Sequence, residues 1–140
     1  PTNKIGPDAG FALLHRETEK RALFLIEVDC GTTRLTTQQP DGDIATVTKK
    51  LAQYDRYLAS GRIADRHPRL VHFLGFHVLF ITTSAARIAN MLTAAASLAP
   101  NFHQFYRFST QEDVRRNFLH DGWLSRDHAD PTTYSLIRGN

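Results

Sequence analysis

The sequence predicts an α/β fold. It is a mixed central sheet flanked by helices, in the order β-β-α-β-α-β-α. Three features carry this. Residues 21–29 read as a strong strand, set off from a shorter strand at 11–15 by a polar reversal. Ile44, Val47, Leu51, Tyr54 and Leu58 recur at three- and four-residue steps, the apolar stripe of an amphipathic helix. A β-branched and aromatic run at 77–83 precedes a second such stripe.

Gly6, Pro7 and Asp8 form a turn signal ahead of the first strand. The polar reversal from Glu17 to Lys20 joins the first two strands as an antiparallel hairpin. Gly31 breaks the second strand, and the polar stretch 32–42, with Pro40 and Gly42, reads as a loop. Asp43 is a suitable N-cap for the first helix, and Ser60-Gly61 closes it. Residues 62–69 read as a basic loop, while 70–76 fit helix and strand equally. Ser84 caps the second helix, whose inner face carries Ile88, Met91, Leu92, Ala95 and Leu98 before Pro100 ends it. Residues 102–108 alternate as a strand, and Thr110 caps a short helix at 111–119. The tail reads as a loop anchored by Trp123, with a last strand near Tyr134.

At 140 residues the chain has the size of one domain, and 41% hydrophobic with 22% charged residues is a folding composition. A net charge of +3 permits a polyanionic partner without demanding one. The single cysteine, Cys30, excludes an internal disulfide, fits a reducing cytoplasm and reads as a small strand-end residue. Residues 1–10 carry no secretory pattern. The longest apolar stretch, 85–99, is interrupted by Arg87 and Asn90 and is shorter than the roughly 20 residues of a membrane span, so no membrane partner is expected.

The informative stretch runs from Phe24 to Asp29. Strand alternation puts Ala22, Phe24, Ile26, Val28 and Cys30 on one face, and Leu23, Leu25, Glu27 and Asp29 on the other. Two acids at the end of an apolar strand call for a cation opposite them, unless they simply sit at its solvent end. Asp8 could bring a further carboxylate near, and paired carboxylates suit a hard cation such as Mg²⁺. Lys50 borders the apolar stripe and can reach the sheet, or snorkel along the stripe to water, whereas Lys49 points further out. Arg62, Arg66 and Arg69, with Arg115 and Arg116, could contact phosphates or be merely solvated. His67, His72 and His77 have no zinc spacing, and Ser60, Ser84 and Ser109 lack a nucleophile turn.

Pro7-Asp8, the acidic strand motif Glu27-Val28-Asp29 and Lys50 are together similar to the PD-(D/E)XK nuclease superfamily. The third position of the second half holds Asp29 instead of Lys; in some branches the neighbouring helix supplies the Lys, as Lys50 would here. The match is closer to the replication-relaxation proteins of bacterial plasmids and mobile elements. It rests on Pro7-Asp8-Ala9, on 24–29 with Gly31-Thr32, on Lys50-Leu51 with Tyr54, and on 78–82 followed by Arg87. Members typically carry a winged-helix DNA-binding region before this part, so the chain is read as one nuclease-like domain, 1–140, of a longer protein.

The resemblance implies a restriction endonuclease-like form of this fold, a DNA-associated role, and Mg²⁺-dependent phosphodiester hydrolysis if the site is active. Asp8 and Glu27 would hold the ion, with the Val28 carbonyl as a further ligand. Lys50 would polarise the attacking water, and Asp29 would assist the metal or position Lys50. Arg62, Arg66 and Arg69 would contact DNA. Two rival readings are an inert module of the same fold binding DNA, a relaxase or a replication partner, and a small-molecule enzyme on an unrelated α/β fold.

Overall fold

The computed structural model describes residues 6–14, 16–17, 19, 21–29, 42–60, 73–96, 98, 104–127 and 129–137. Within them the elements are β1 (Ala9–Leu14), β2 (Arg21–Val28), α1 (Gly42–Ser60), β3 (Phe73–Thr82), α2 (Ala85–Ala95), β4 (Tyr106–Thr110), α3 (Gln111–Arg116), β5 (Trp123–Ser125) and β6 (Thr133–Tyr134). Cys30, Arg62, Arg66, Arg69, His67 and His72 lie outside the described residues, as do the loop expected at 62–69 and residues 32–41 of the loop expected at 32–42. Gly42, expected in that loop, begins α1, which puts Asp43 inside the helix and not at its N-cap.

All six strands form one mixed sheet in the order β1-β2-β3-β4-β5-β6. The β1–β2 hairpin is antiparallel, with Phe11 opposite Phe24. Glu19 takes the left-handed conformation the reversal needs, at φ 57°. Strands β2, β3 and β4 are mutually parallel. Parallel neighbours need a crossover, which α1 and α2 supply in turn. β5 and β6 then return antiparallel at the far edge.

The two sheet faces divide as the alternation of β2 demands. Leu25 packs with Val78, Phe80, Tyr106 and Phe108 against Val47, Leu51 and Tyr54 of α1 and Ile88, Met91, Leu92 and Ala95 of α2. Phe24, Ile26, Leu79, Ile81, Phe11 and Leu13 face the other way and are covered by Val114, Phe118, Trp123 and Leu136. Across that second face Phe11 stacks on Phe24 at 4.9 Å, and Phe24 on His77 at 5.7 Å, each pair in register on adjacent strands. Fully burying each large apolar side chain is worth about 1.5–3 kcal/mol.

Several boundaries differ from the sequence expectation, each for a local reason. α3 stops at Arg116, because Asn117 turns extended and its side chain accepts the Leu119 N–H at 3.0 Å. α2 stops at Ala95, where the Ala96 N–H folds back onto the Leu92 and Thr93 carbonyls. β4 begins only at Tyr106, since Gln104 and Phe105 form a 3₁₀ turn whose Gln104 carbonyl accepts from the Arg107 guanidinium at 3.1 Å. Trp123, expected in a loop, starts β5 and is fully buried. Ser84 and Thr110 cap α2 and α3 as expected, accepting from the Arg87 and Asp113 N–H groups.

Candidate functional site

β2 delivers Glu27 and α1 delivers its partners. Glu27 lies on the helix-covered face and is 3% exposed. A carboxylate so placed needs compensating donors, and it has one on each oxygen. Lys50 Nζ donates to Oε2 at 3.0 Å, and the Tyr54 hydroxyl donates to Oε1 at 2.8 Å. Lys50 and Tyr54 are one helical turn apart, so one face of α1 presents both. Lys49, one residue away, is exposed.

Asp8 sits where the chain enters β1. Its N–H donates to the Ile26 carbonyl at 2.9 Å, and its Oδ2 accepts the Val28 N–H at 2.8 Å. The aspartate thereby clamps the end of β2 one residue beyond Glu27, and its own side chain is exposed. Val28 is 40% exposed at the strand's end. Tyr54 registers both acids. Burial first, then the hydrogen bond to Glu27, then the charges of Glu27 and Asp8 push its phenol far above the ordinary range, so it stays a donor.

Asp29 has the neighbouring cluster. Its Oδ2 accepts from Arg87 Nε at 2.5 Å and from the Thr82 hydroxyl at 2.6 Å, and its Oδ1 from Arg87 Nη2 at 3.2 Å. The two-pronged Arg87 grip, 7% exposed on the first turn of α2, ties the carboxyl end of β2 to β3 and α2. Asp29 is thus engaged by Arg87 and Thr82, whereas Lys50 is engaged by Glu27. All these groups gather at the carboxyl ends of the parallel strands, where open α/β sheets place their ligand crevices.

Among the described residues no group of three or more His, Cys, Asp or Glu side chains is placed to hold a metal ion. A magnesium site needs fewer: one or two carboxylates, with water and substrate oxygens completing the shell. Asp8 and Glu27 supply hard oxygen donors. Each Glu27 oxygen spends one lone pair on Lys50 or Tyr54 and keeps another. The chemistry of these oxygens suits Mg²⁺.

Two further constellations escaped the sequence reading. Ser109 Oγ lies 2.9 Å from His120 Nε2, the spacing of a nucleophile and its base. The Gly122 N–H donates to His120 Nδ1 at 2.9 Å, however, so the neutral ring carries its proton on Nε2 and donates to Ser109. That polarity is opposite to a base poised on a serine, and the pair is structural. Asp55 on α1 accepts from Arg126 Nη1 at 2.6 Å and from the Tyr106 hydroxyl at 2.7 Å, with the Arg126 guanidinium over the Tyr106 ring at 4.8 Å. Nothing in the spacing of these residues signals either contact: Ser109 and His120 are 11 residues apart with α3 between them, and Asp55 and Arg126 are 71 apart.

No family model, curated protein or solved structure matches the chain. No helix among the described residues is long and apolar enough to cross a membrane.

Proposed function

We propose that the chain is a DNA-associated, restriction endonuclease-like domain of the replication-relaxation type, hydrolysing a phosphodiester with Mg²⁺. The observation that carries the reading is the meeting of Lys50 with Glu27 at 3.0 Å beside Asp8, which clamps the end of the same strand. Support also comes from the topology: an antiparallel hairpin bearing the acids, followed by a helix that carries the lysine and crosses to a parallel strand.

In this reading Asp8 and Glu27 hold the ion, with the Val28 carbonyl as a further ligand. The ion, when bound, lowers the pKa of a coordinated water and offsets phosphate charge. Lys50 orients the attacking water or the scissile phosphate through its half-exposed ammonium. Tyr54 keeps the Glu27 carboxylate in place. Asp29, gripped by Arg87, orders the strand end. Arg62, Arg66 and Arg69 contact the DNA backbone.

A second reading has its own observation. Both Glu27 oxygens accept protein donors in a nearly sealed site, the arrangement of a structural ion pair in an inert DNA- or relaxase-binding module. Incubating supercoiled, linear and single-stranded DNA with the protein in Mg²⁺ and in chelator decides between them. Mg²⁺-dependent cleavage lost in Glu27→Gln and Asp8→Asn supports the nuclease. DNA binding without cleavage in any form leaves the inert module, and neither binding nor cleavage removes both.

A further inference from the structure

The two partners of Glu27 are held in different ways. Tyr54 is 2% exposed and locked in the core beside Phe80, 6.5 Å away between ring centroids. Its hydroxyl cannot leave Oε1 without moving the helix. The Lys50 side chain is 41% exposed, so its ammonium can leave Oε2 for water by rotating a flexible four-carbon stem. The partners also differ in charge. Tyr54 is neutral and tolerates a cation on the far side of the carboxylate. Lys50 is itself a cation, and a second one on Oε2 would meet it at contact range, where like charges repel. Glu27, in contrast, is buried and needs a positive neighbour in every state.

We propose that Lys50 is an exchangeable occupant of Glu27. A divalent cation bound through Asp8 and Glu27 displaces the ammonium from Oε2, and Lys50 turns to the solvent side, where a phosphate would meet it. Tyr54 stays on Oε1 throughout as the positioning residue. In the cation-free protein Lys50 stands in for the ion. This rests on the reading above that the site takes a divalent cation. It adds that lysine and ion compete, and by linkage each weakens the other's hold on the carboxylate.

The test uses Mg²⁺ and Mn²⁺ alone as probes, with melting temperature and calorimetric titration as readouts. Wild type, Lys50→Met and Glu27→Gln are compared, each from a chelator-treated stock. Lys50→Met should melt below wild type in chelator, gain more on adding Mg²⁺, and bind the ion about tenfold more tightly, a coupling of ordinary size. Glu27→Gln should abolish the gain. On wild-type protein, acylation of the Lys50 amine followed by peptide mapping should speed up when Mg²⁺ saturates the site. This readout survives should Lys50→Met fail to fold. If Lys50→Met binds Mg²⁺ no more tightly than wild type, or Lys50 acylation is indifferent to the ion, the exchange is wrong while the cation site stands. If no variant responds to Mg²⁺ or Mn²⁺, the cation reading fails and takes the exchange with it.

Discussion

Lys50 Nζ and Glu27 Oε2 lie 3.0 Å apart, yet the lysine side chain is 41% exposed and the glutamate only 4%. Deleting one partner is therefore not equivalent to deleting the other. Lys50→Ala leaves a buried carboxylate with Tyr54 as its remaining described donor, and should cost about 1.5–3 kcal/mol, the range for hydrogen bonds to charged groups. Glu27→Gln keeps an acceptor for Tyr54 and frees a lysine that already reaches water, so it should cost about 1 kcal/mol or less. Urea denaturation in chelator checks the order. A glutamate variant more damaged than the lysine variant would show that the ammonium, not the carboxylate, bears the burial penalty.

Tyr54→Phe isolates the other half of the site. The phenyl ring keeps the packing against Phe80, while Glu27 Oε1 loses its described donor in a place water barely reaches. The expected loss is about 1–3 kcal/mol. A change below a few tenths would mean that water replaces the hydroxyl.

Arg126 shows what packing rules leave unspoken in the sequence. Its side chain is fully buried, against Asp55 of α1 and the Tyr106 ring of β4, 71 residues of chain from its acid. Arg126→Ala strands Asp55 and removes contact with the ring, and should cost about 3–5 kcal/mol. Arg126→Met with Asp55→Asn should recover much of that loss, because a neutral replacement of the whole pair leaves no unpaired buried charge. Chemical denaturation of the single and double variants checks the order.

What could be read without coordinates was what periodicity governs. The period of two along β2 put Glu27 and Asp29 on one face. The 3.6-residue period of α1 put Lys50 nearer the sheet than Lys49. β1, β2, α1 and α2 emerged for the same reason, each long enough to show several repeats. β5 has three residues and β6 two, too few for a period to exist, so Trp123 looked like an isolated anchor. The contact of Tyr54 with Glu27 is not legible, since neither an apolar stripe nor a short motif says where a tyrosine's hydroxyl ends. Asp29 and Arg87 are 58 residues apart, and such pairs are set by the β2–β3 register, which no local rule supplies.

His77 gives the fold a defined response to acid. It lies on β3, stacked on Phe24, and its Nδ1 is buried without a hydrogen-bond partner among the described residues. Burial, and secondarily the Arg107 charge, lower its pKa from 6.5 to about 4. The folded state therefore takes up its proton later than the unfolded state does. Stability from this group is fully present above about pH 6.5, falls as the pH drops toward 4, and changes no further below that. The loss is about 3 kcal/mol at most, less where partial exposure screens the ring. Denaturation from pH 7 to pH 4 on wild type and His77→Gln should show a smaller slope in the variant. Equal slopes would assign the acid response to other groups.

The last expectation concerns DNA, and it separates backbone contact from catalysis. If Arg62, Arg66 and Arg69 meet phosphates, duplex binding should weaken steeply with salt, because each contact releases condensed counterions. Replacing all three by alanine should lower the slope of log K against log salt by roughly 2–3, at about 0.9 per phosphate, and should weaken binding alike for every sequence tried. Glu27→Gln, which alters the acidic site and not the basic segment, should leave that slope unchanged. Fluorescence titration of a labelled duplex at low and at physiological salt measures both. A triple variant with the wild-type slope would move the DNA contact elsewhere on the surface. A wild type that does not bind at low salt would remove DNA from the proposal altogether.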